Sequence, residues 1–295
     1  MIEISVVIPT YNRIDVLRRV IPSLLQQDVD AARCEIIVAD SNSTDGTAEY
    51  LREVASEAPR VRHLPGAYSG RAAARNAGIK AASGTIVLFN DSDIIASSDL
   101  LARHLERHAN ARCAVVGHEV QVRSYEEYLA KRDDPALRDG LHPPTRKRLS
   151  WLYFLTGNAS VRREDLAAVG GFDESFTGYG HEDLELGYRL QALGIPIVYE
   201  PRAVNYHLQD VGFEDQKSKM ELAGRSTVRF YRKHPDFGVK LRLGTTPVSL
   251  GIHTLLQRVP SAVDWLERRS GSSRLARAIA YQYHYVSGIK AALHE

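Results

Sequence analysis

The sequence predicts an α/β protein: a doubly wound, mostly parallel sheet flanked by helices, with a helical C-terminal extension. Three observations predict it. Strand and helix signals alternate through the first hundred residues, the pattern of a parallel sheet with helical crossovers. The strands of that stretch end in polar clusters at residues 9–13, 40–42 and 91–93, where sheets of this kind bind ligands. From Glu214 onward the apolar spacing is helical and strand signals cease.

The elements follow in order. Residues 4–8 read as a buried strand. Val16, Leu17, Val20, Ile21, Leu24 and Leu25 recur at helical spacing over 15–27, and Pro22 is expected to kink that helix. A second strand, 35–39, ends at Asp40. Residues 43–46 make a turn, and Thr47 is placed as the N-cap of a helix over 47–55. A short strand at 61–64 precedes an Ala-rich helix over 70–82, stopped by Ser83-Gly84. The next strand covers 85–89. Beyond Asp93 come a helix at 99–109 and a strand at 114–122. A charged insertion with three prolines follows at 123–149, loop-rich or partly helical. Then come a strand at 157–161 and a helix at 163–169. A helix over 182–193 is capped by Gly194, and short strands lie at 197–199 and 203–207. These elements divide the chain into a domain of residues 1–212, with halves 1–93 and 94–212, and an extension of residues 213–295.

The bulk numbers exclude several classes. Of 295 residues, 44% are hydrophobic and 25% charged, the balance of a soluble globular protein. A net charge of +2 gives no field to hold nucleic acid. With only Cys34 and Cys113, no disulfide framework is expected, and a reducing compartment is the simpler setting. The first strand signal begins at Ile2, so no signal peptide is expected. No apolar run approaches the ~20 residues that span a bilayer. The expected location is the cytoplasm, with or without peripheral contact at the inner face of the membrane.

Candidate chemistry is concentrated at the strand ends, and each candidate has a plain structural alternative. Strand alternation would project Asp91 and Asp93 to the same side. Two such carboxylates raise each other's pKa unless a cation neutralises them. Mg²⁺ or Mn²⁺ carrying a phosphate would do so; otherwise the triplet is an Asp-rich turn. Asp40 either accepts a hydrogen bond from a nucleobase or closes its strand in a turn. Tyr11 stacks on a base or is a half-buried loop residue. Arg71 and Arg75, one helical turn apart, hold phosphate or ribose, or are solvated. Glu182, Asp183 and Glu185 complement a helix dipole, or supply a general base. His207 could join Asp93 in a metal site.

Taken together, these segments resemble the glycosyltransferase family 2 enzymes, of the GT-A fold. The motifs are Ser5-Val6-Val7-Ile8-Pro9-Thr10-Tyr11-Asn12-Arg13, and Asp40-Ser41-Asn42-Ser43-Thr44-Asp45-Gly46-Thr47 behind its apolar strand. Ala74-Arg75-Asn76-Ala77-Gly78 then leads to Asp91-Ser92-Asp93. Last, Gly170-Gly171-Phe172-Asp173-Glu174 runs on to Gly180-His181-Glu182-Asp183-Leu184-Glu185. The last segment also looks like the acceptor region of chondroitin-polymerase and β-1,4-galactosyltransferase type enzymes. The resemblance implies that residues 1–93 bind a nucleotide-sugar, most often a uridine one, and that 94–212 take the acceptor. It implies that Pro9, Tyr11 and Asp40 hold base and ribose, within a nucleotide-sugar site that also takes in Arg13 and Ser92. Arg71, Arg75 and Asn76 would lie beside the nucleotide and sugar. Asp91 would face ribose or a metal-bound water. Asp93 would bind Mn²⁺ or Mg²⁺, with His207 and, on the paired-carboxylate reading, Asp91 as further ligands. Asp183 would be the catalytic base of an inverting transfer and Glu182 would touch the acceptor, which is a glycan, a lipid-linked molecule or a small molecule. Residues 208–219 would form a lid.

Two departures stand out. The usual acidic pair after the second strand is Asp40-Ser41 here, and Tyr179 replaces a frequent Trp. The alternative is a catalytically inactive nucleotide-sugar-binding or scaffold protein of the same fold. A nucleotidyltransferase or a dehydrogenase would want a Gly-rich loop after the first strand, and 9–13 is not one. In the C-terminal region, Arg258, Arg268, Arg269, Arg274, Arg277 and Lys290 outnumber Asp264 and Glu267. A peripheral membrane helix, a helical cover and a homodimer contact all stay open there.

Overall fold

The computed structural model describes residues 1–137, 148–244 and 246–295. Part of the insertion expected at 123–149 therefore lies outside the described residues; within it, α5 (Tyr125–Asp133) is helical. The chain divides into two compact units, residues 1–175 with 182–210, and residues 176–181 with 211–295. The loop at 176–181, read from the sequence as part of the first domain, belongs to the second unit.

The first unit is built on an eight-stranded sheet. β1 (Ile4–Thr10), β2 (Cys34–Asp40), β3 (Val61–Pro65) and β4 (Ile86–Phe89) form its parallel half, ordered β3-β2-β1-β4. β1, β2 and β4 are buried at every residue, as strands covered on both faces must be. Pro9 fits inside β1 for a reason of register. Odd-numbered residues of β1 face β4, since Asn90 N donates to Val7 O at 3.2 Å. β4 ends at Phe89, so the missing Pro9 N–H interrupts no ladder bond. Helices α1 (Ile14–Leu25), α2 (Thr47–Glu57) and α3 (Arg71–Ala81) alternate with these strands. Helix α1 continues through Pro22 to Leu25.

Helix α3 lies hard against β1. A Cβ added at Gly78 would sit 2.3 Å from Val7 Cγ1, well inside contact distance. Gly78→Ala is expected to destabilise the protein by about 1–3 kcal/mol through overpacking, read as a lowered urea midpoint at unchanged slope. An unchanged midpoint would show that α3 shifts without cost.

The second half of the sheet mixes directions. β4 pairs antiparallel with β7 (Ala159–Arg162), β7 antiparallel with β6 (Ala114–Val122), and β6 parallel with β8 (Ile197–Leu208). The two short strands expected at 197–199 and 203–207 are one strand with a bulge. Gly117 pairs with Glu200 and the next residue, His118, pairs with Val204, so 201–203 loop out and pairing resumes. β5 (Ile94–Ala96), antiparallel to β8 at the sheet edge, escaped the sequence reading because it has only three residues. Helices α4 (Leu100–Asn110), α6 (Arg163–Ala168) and α7 (Glu182–Ala192) complete this unit.

The second unit is helical: α8 (Phe213–Lys233), α9 (Phe237–Arg242), α10 (Pro247–Gln257), α11 (Pro260–Arg269) and α12 (Arg274–Leu293). The lid expected at 208–219 is largely helix, because α8 starts at Phe213. Helices α8 and α12 cross closely through glycines. A Cβ at Gly224 would lie 2.0 Å from Tyr285 O, and one at Gly288 2.0 Å from Glu221 O. His284 ties the bundle together, its Nδ1 2.8 Å from Glu221 of α8 and its Nε2 2.7 Å from Glu267 of α11. No helix among the described residues is long and apolar enough to cross a membrane.

Candidate active site

The polar ends of β1 and β2 are laced to each other. Asn12 N donates to Ser43 Oγ at 2.8 Å, and Thr44 N to Asn12 Oδ1 at 2.8 Å. Ile14 N donates to Asp45 Oδ2 at 3.1 Å and Arg13 N to Thr47 Oγ1 at 3.3 Å. The first open N–H of α1, that of Ile14, is thus satisfied from the loop before α2. Helix α2 itself starts after Gly46 (φ +94°) rather than at a Thr47 cap. Tyr11 stands exposed beside this lacing. Asp40 is fully buried. Its Oδ1 accepts from Ser43 N at 3.1 Å, and its Oδ2 lies 3.2 Å from His63 Nε2. Both oxygens thus have protein partners, and the turn that closes the strand is real. Nothing in the sequence pointed to His63.

Arg75 organises the centre. It is buried, donating from Nη2 to Asp91 Oδ1 at 2.7 Å and from Nη1 to Glu182 Oε1 at 3.1 Å, with its guanidinium 5.4 Å from the centroid of the Phe172 ring. Burial alone disfavours its charge, but the Asp91 and Glu182 carboxylates more than restore it. Arg71 adds to the positive field that, against burial, keeps the Asp91 carboxyl below its usual range. Three residues far apart in sequence are therefore one charge cluster.

The acidic triplet is not the extension of a strand. β4 ends at Phe89, and Ser92 and Asp93 occupy a turn, so strand alternation does not set the directions of Asp91 and Asp93. Asp91 turns to Arg75. It does not join Asp93 and His207 as a third ligand, and no group of three or more His, Cys, Asp or Glu suited to a metal occurs among the described residues. Asp93 and His207 do meet: Ile94 pairs with His207 in the β5–β8 ladder, and His207 Nε2 lies 3.5 Å from Asp93 Oδ1. Asn76 is engaged by the protein itself. Its amide donates to Phe172 O and to Glu174 Oε1, both at 2.9 Å, and accepts from Phe172 N at 2.8 Å. These bonds occupy the side chain in clipping the 170–174 loop to α3, and leave it no free donor for a nucleotide. Gly171 (φ +71°) is required there, since a Cβ would lie 2.5 Å from Asn76 Oδ1.

One carboxylate oxygen and one imidazole nitrogen fit Mn²⁺ and, less well, Mg²⁺. Held by these two residues, such an ion would be free to take phosphate oxygens of a nucleotide as well. His207 is itself held from behind by β6. His207 Nδ1 lies 3.1 Å from Glu119 Oε1, which also accepts from Gln121 Nε2 at 2.7 Å. Burial opposes a charge on His207, but hydrogen bonds to Asp93 and Glu119 overcome it and push its pKa up to about 10. Glu119 and Gln121 alternate on one face of β6. Only the β6–β8 pairing, invisible in the sequence, brings them to His207. Glu119→Gln is expected to weaken Mn²⁺ binding about tenfold, as loss of an orienting carboxylate does. Calorimetric titration checks this; unchanged affinity would remove Glu119 from the site.

Glu182 and Asp183 open α7. Glu182 is buried and its second oxygen, Oε2, has no protein partner. Asp183 is half-buried. Burial first, then repulsion from Glu182, push its carboxyl up to about 7 against the pull of Arg75. Asp91 also acts on it, so the acidic end of α7 and the triplet after β4 share one electrostatic environment.

The chain is similar to known glycosyltransferases in sequence and in fold. Residues 5–170 match the model of glycosyl transferase family 2, and residues 142–208 that of the N-terminal domain of galactosyltransferase. The validoxylamine A glucosyltransferase of Streptomyces hygroscopicus subsp. jinggangensis is 32% identical over 266 residues, covering 79% of this chain and 61% of that protein. The chain spans about three fifths of the length of the first curated relatives it matches. Among solved structures, a fragment of S. aureus TarS in complex with UDP superposes with a TM-score of 0.59 at 17% identity, over 99% of this chain and 92% of that one. The mannosyltransferase PcManGT from Pyrobaculum calidifontis, in complex with GDP-Man and Mn²⁺, gives 0.65 at 20% identity, over 99% and 87%. These likenesses show the fold to be GT-A. The family model spans more than half of the chain and takes in nearly all of β1 through α6, so this protein belongs to glycosyl transferase family 2.

Proposed function

We propose that the chain is an inverting glycosyltransferase that moves a sugar from a nucleotide-diphosphate donor, UDP-linked, to an acceptor hydroxyl with the aid of a divalent metal. The observation that carries this reading is the pair at the start of α7. Asp183 is a carboxylate of raised pKa, and beside it the buried Glu182 has an oxygen open to a hydrogen-bond donor. That combination suits removal of a hydroxyl proton, because a base works best when its pKa is near the working pH.

In this mechanism the acceptor hydroxyl lies within hydrogen-bond reach of Asp183, while Glu182 Oε2 accepts from a neighbouring hydroxyl of the same acceptor. The hydroxyl oxygen attacks the anomeric carbon and its proton passes to Asp183. The bond from that carbon to the diphosphate breaks, and its electron pair leaves on the diphosphate. Attack opposite the leaving group inverts the configuration. Arg75 holds Glu182 in place from behind. A divalent ion, held by Asp93 and His207, would supply neutralisation of the departing diphosphate. Tyr11, Arg13 and the end of β1 at Pro9 would take the base and ribose, with Asp40 shaping the pocket wall through Ser43 and His63. Ser92 and Arg71 would line the diphosphate. The named neighbours, one with UDP and one with GDP-Man and Mn²⁺, support donor class and metal. The acceptor is a glycan, a lipid-linked molecule or a small molecule.

The test is nucleotide release from UDP-, GDP- and dTDP-sugars with Mn²⁺ or EDTA. Slow release from one donor class, lost in EDTA, is expected. No release from any donor, together with no metal-dependent nucleotide binding by calorimetry, would overturn the reading.

A further inference from the structure

Helix α10 has the composition of a buried helix on an outer face. Its eleven residues include no Asp, Glu, Lys or Arg. Val248, Ile252, Leu255 and, just past its end, Val259 recur at spacings of four and three, which is one face of a helix. Each of the four is between 51% and 70% exposed. Beside this stripe runs a groove of about 340 Å³, lined by Ile252 and Leu256 on one side and by Ala278, Ile279 and Val286 of α12 on the other. It carries the apolar surface across to α12, where Leu275, one turn before Ile279, is 71% exposed. Single exposed apolar residues are ordinary; a contiguous set marks an interaction surface.

Charge identifies what the surface meets. Residues 237–293 hold eight Lys or Arg against two acidic residues, while the whole chain carries only +2, so the remainder of the protein is net acidic. The two acidic residues do little to neutralise this region. Glu267 is already engaged by His284 at 2.7 Å and by Lys217 at 3.7 Å. Arg258, Arg268 and Arg274 form no ion pair with any described residue. Arg258 lies one turn from Leu255, and Arg274 directly precedes Leu275.

We propose that this face docks the protein on an anionic membrane surface. Helix α10 lies in the plane of the interface, its four-residue stripe immersed, and the arginines reach the headgroups. At ~1.5 Å per residue, α10 is roughly half the length needed to span a bilayer core, so it lies on the membrane rather than through it. Neither shallow insertion nor a few arginines holds a protein firmly, but the two signals together do. A second copy of the chain is the poorer occupant, because a twofold contact would press this cationic surface against itself. The inference stands on the second unit alone and does not depend on the reading of the active site.

The experiment is co-sedimentation of the full chain with vesicles of phosphatidylcholine alone, or mixed with phosphatidylglycerol, without donor or acceptor. Binding to the mixed vesicles only, falling with added salt, is expected. Leu255→Glu should weaken it at least about tenfold, and Arg258→Glu with Arg274→Glu by a similar factor. Leu255 is exposed, so circular dichroism and the melting temperature of Leu255→Glu should match wild type. No binding to the mixed vesicles would overturn the proposal, and so would binding that Leu255→Glu leaves intact. A dimer in analytical ultracentrifugation that Leu255→Glu dissociates would overturn it in favour of a second copy.

Discussion

Asp183→Asn will lower turnover at least about 100-fold, the range for losing a positioned general base, and leave donor affinity nearly unchanged. Asparagine keeps the shape of the side chain and cannot take the proton. The donor is held elsewhere on the proposed reading, so kcat falls while the Kd for nucleotide does not. In the wild type, kcat/KM should decline as pH falls through about 7, the value to which burial and Glu182 raise the Asp183 carboxyl, because only the ionised form is a base. The same shift has a stability consequence of opposite direction. A carboxyl whose folded pKa lies above its unfolded value costs stability when ionised. That cost is fully present above pH 7 and vanishes as pH falls toward 4. Asp183→Asn should therefore raise the melting temperature at pH 8 by roughly 2–4 °C, equivalent to about 1–2 kcal/mol, and leave it unchanged at pH 4. A variant that loses catalysis but gains stability only at high pH would be hard to explain by damage to the fold. Near-full activity of Asp183→Asn would remove the base assignment outright.

The parallel half of the fold was legible in the sequence because β1, β2 and β4 are largely apolar, fully buried runs bounded by turn signals. The mixed half was not. β5 is too short for any period, and Pro201 reads as a strand end although β8 merely bulges there and pairs again with β6. The site divides along similar lines. Asp93, Asp183 and Glu182 sit at strand and helix ends, where position alone suggested chemistry. Asp91, Asn76, Glu119 and His63 needed partners that sequence does not reveal. Asp91 looked like a metal ligand until Arg75, itself read as one of two solvated or phosphate-binding arginines, was found buried against it. Asn76 lies in the motif that carries the family resemblance, yet its amide holds a loop ninety-six residues downstream. A motif records which residues stay together, and several stay together for packing.

Asp93→Ala will abolish metal-dependent nucleotide binding and nucleotide release, with losses of about 100-fold or more. On the proposed reading it removes one of two protein ligands and would leave the metal to His207. The fold should not change, since Asp93 lies in a turn and its backbone carbonyl, not its side chain, accepts the Leu208 N–H at 2.8 Å. The informative control is the neighbouring carboxylate. Asp91→Ala takes away one of the two partners of a buried guanidinium, so it should lower the melting temperature by an amount equivalent to about 1–3 kcal/mol, while Mn²⁺ affinity changes little. The two aspartates, two residues apart, would then separate cleanly, one reporting on metal and the other on the Arg75 cluster. Equal loss of Mn²⁺ binding in both variants would return Asp91 to the metal and undo the division of labour drawn from the Arg75 geometry. Retained metal-dependent binding in Asp93→Ala would leave the GT-A fold standing and move the metal away from the β5–β8 edge.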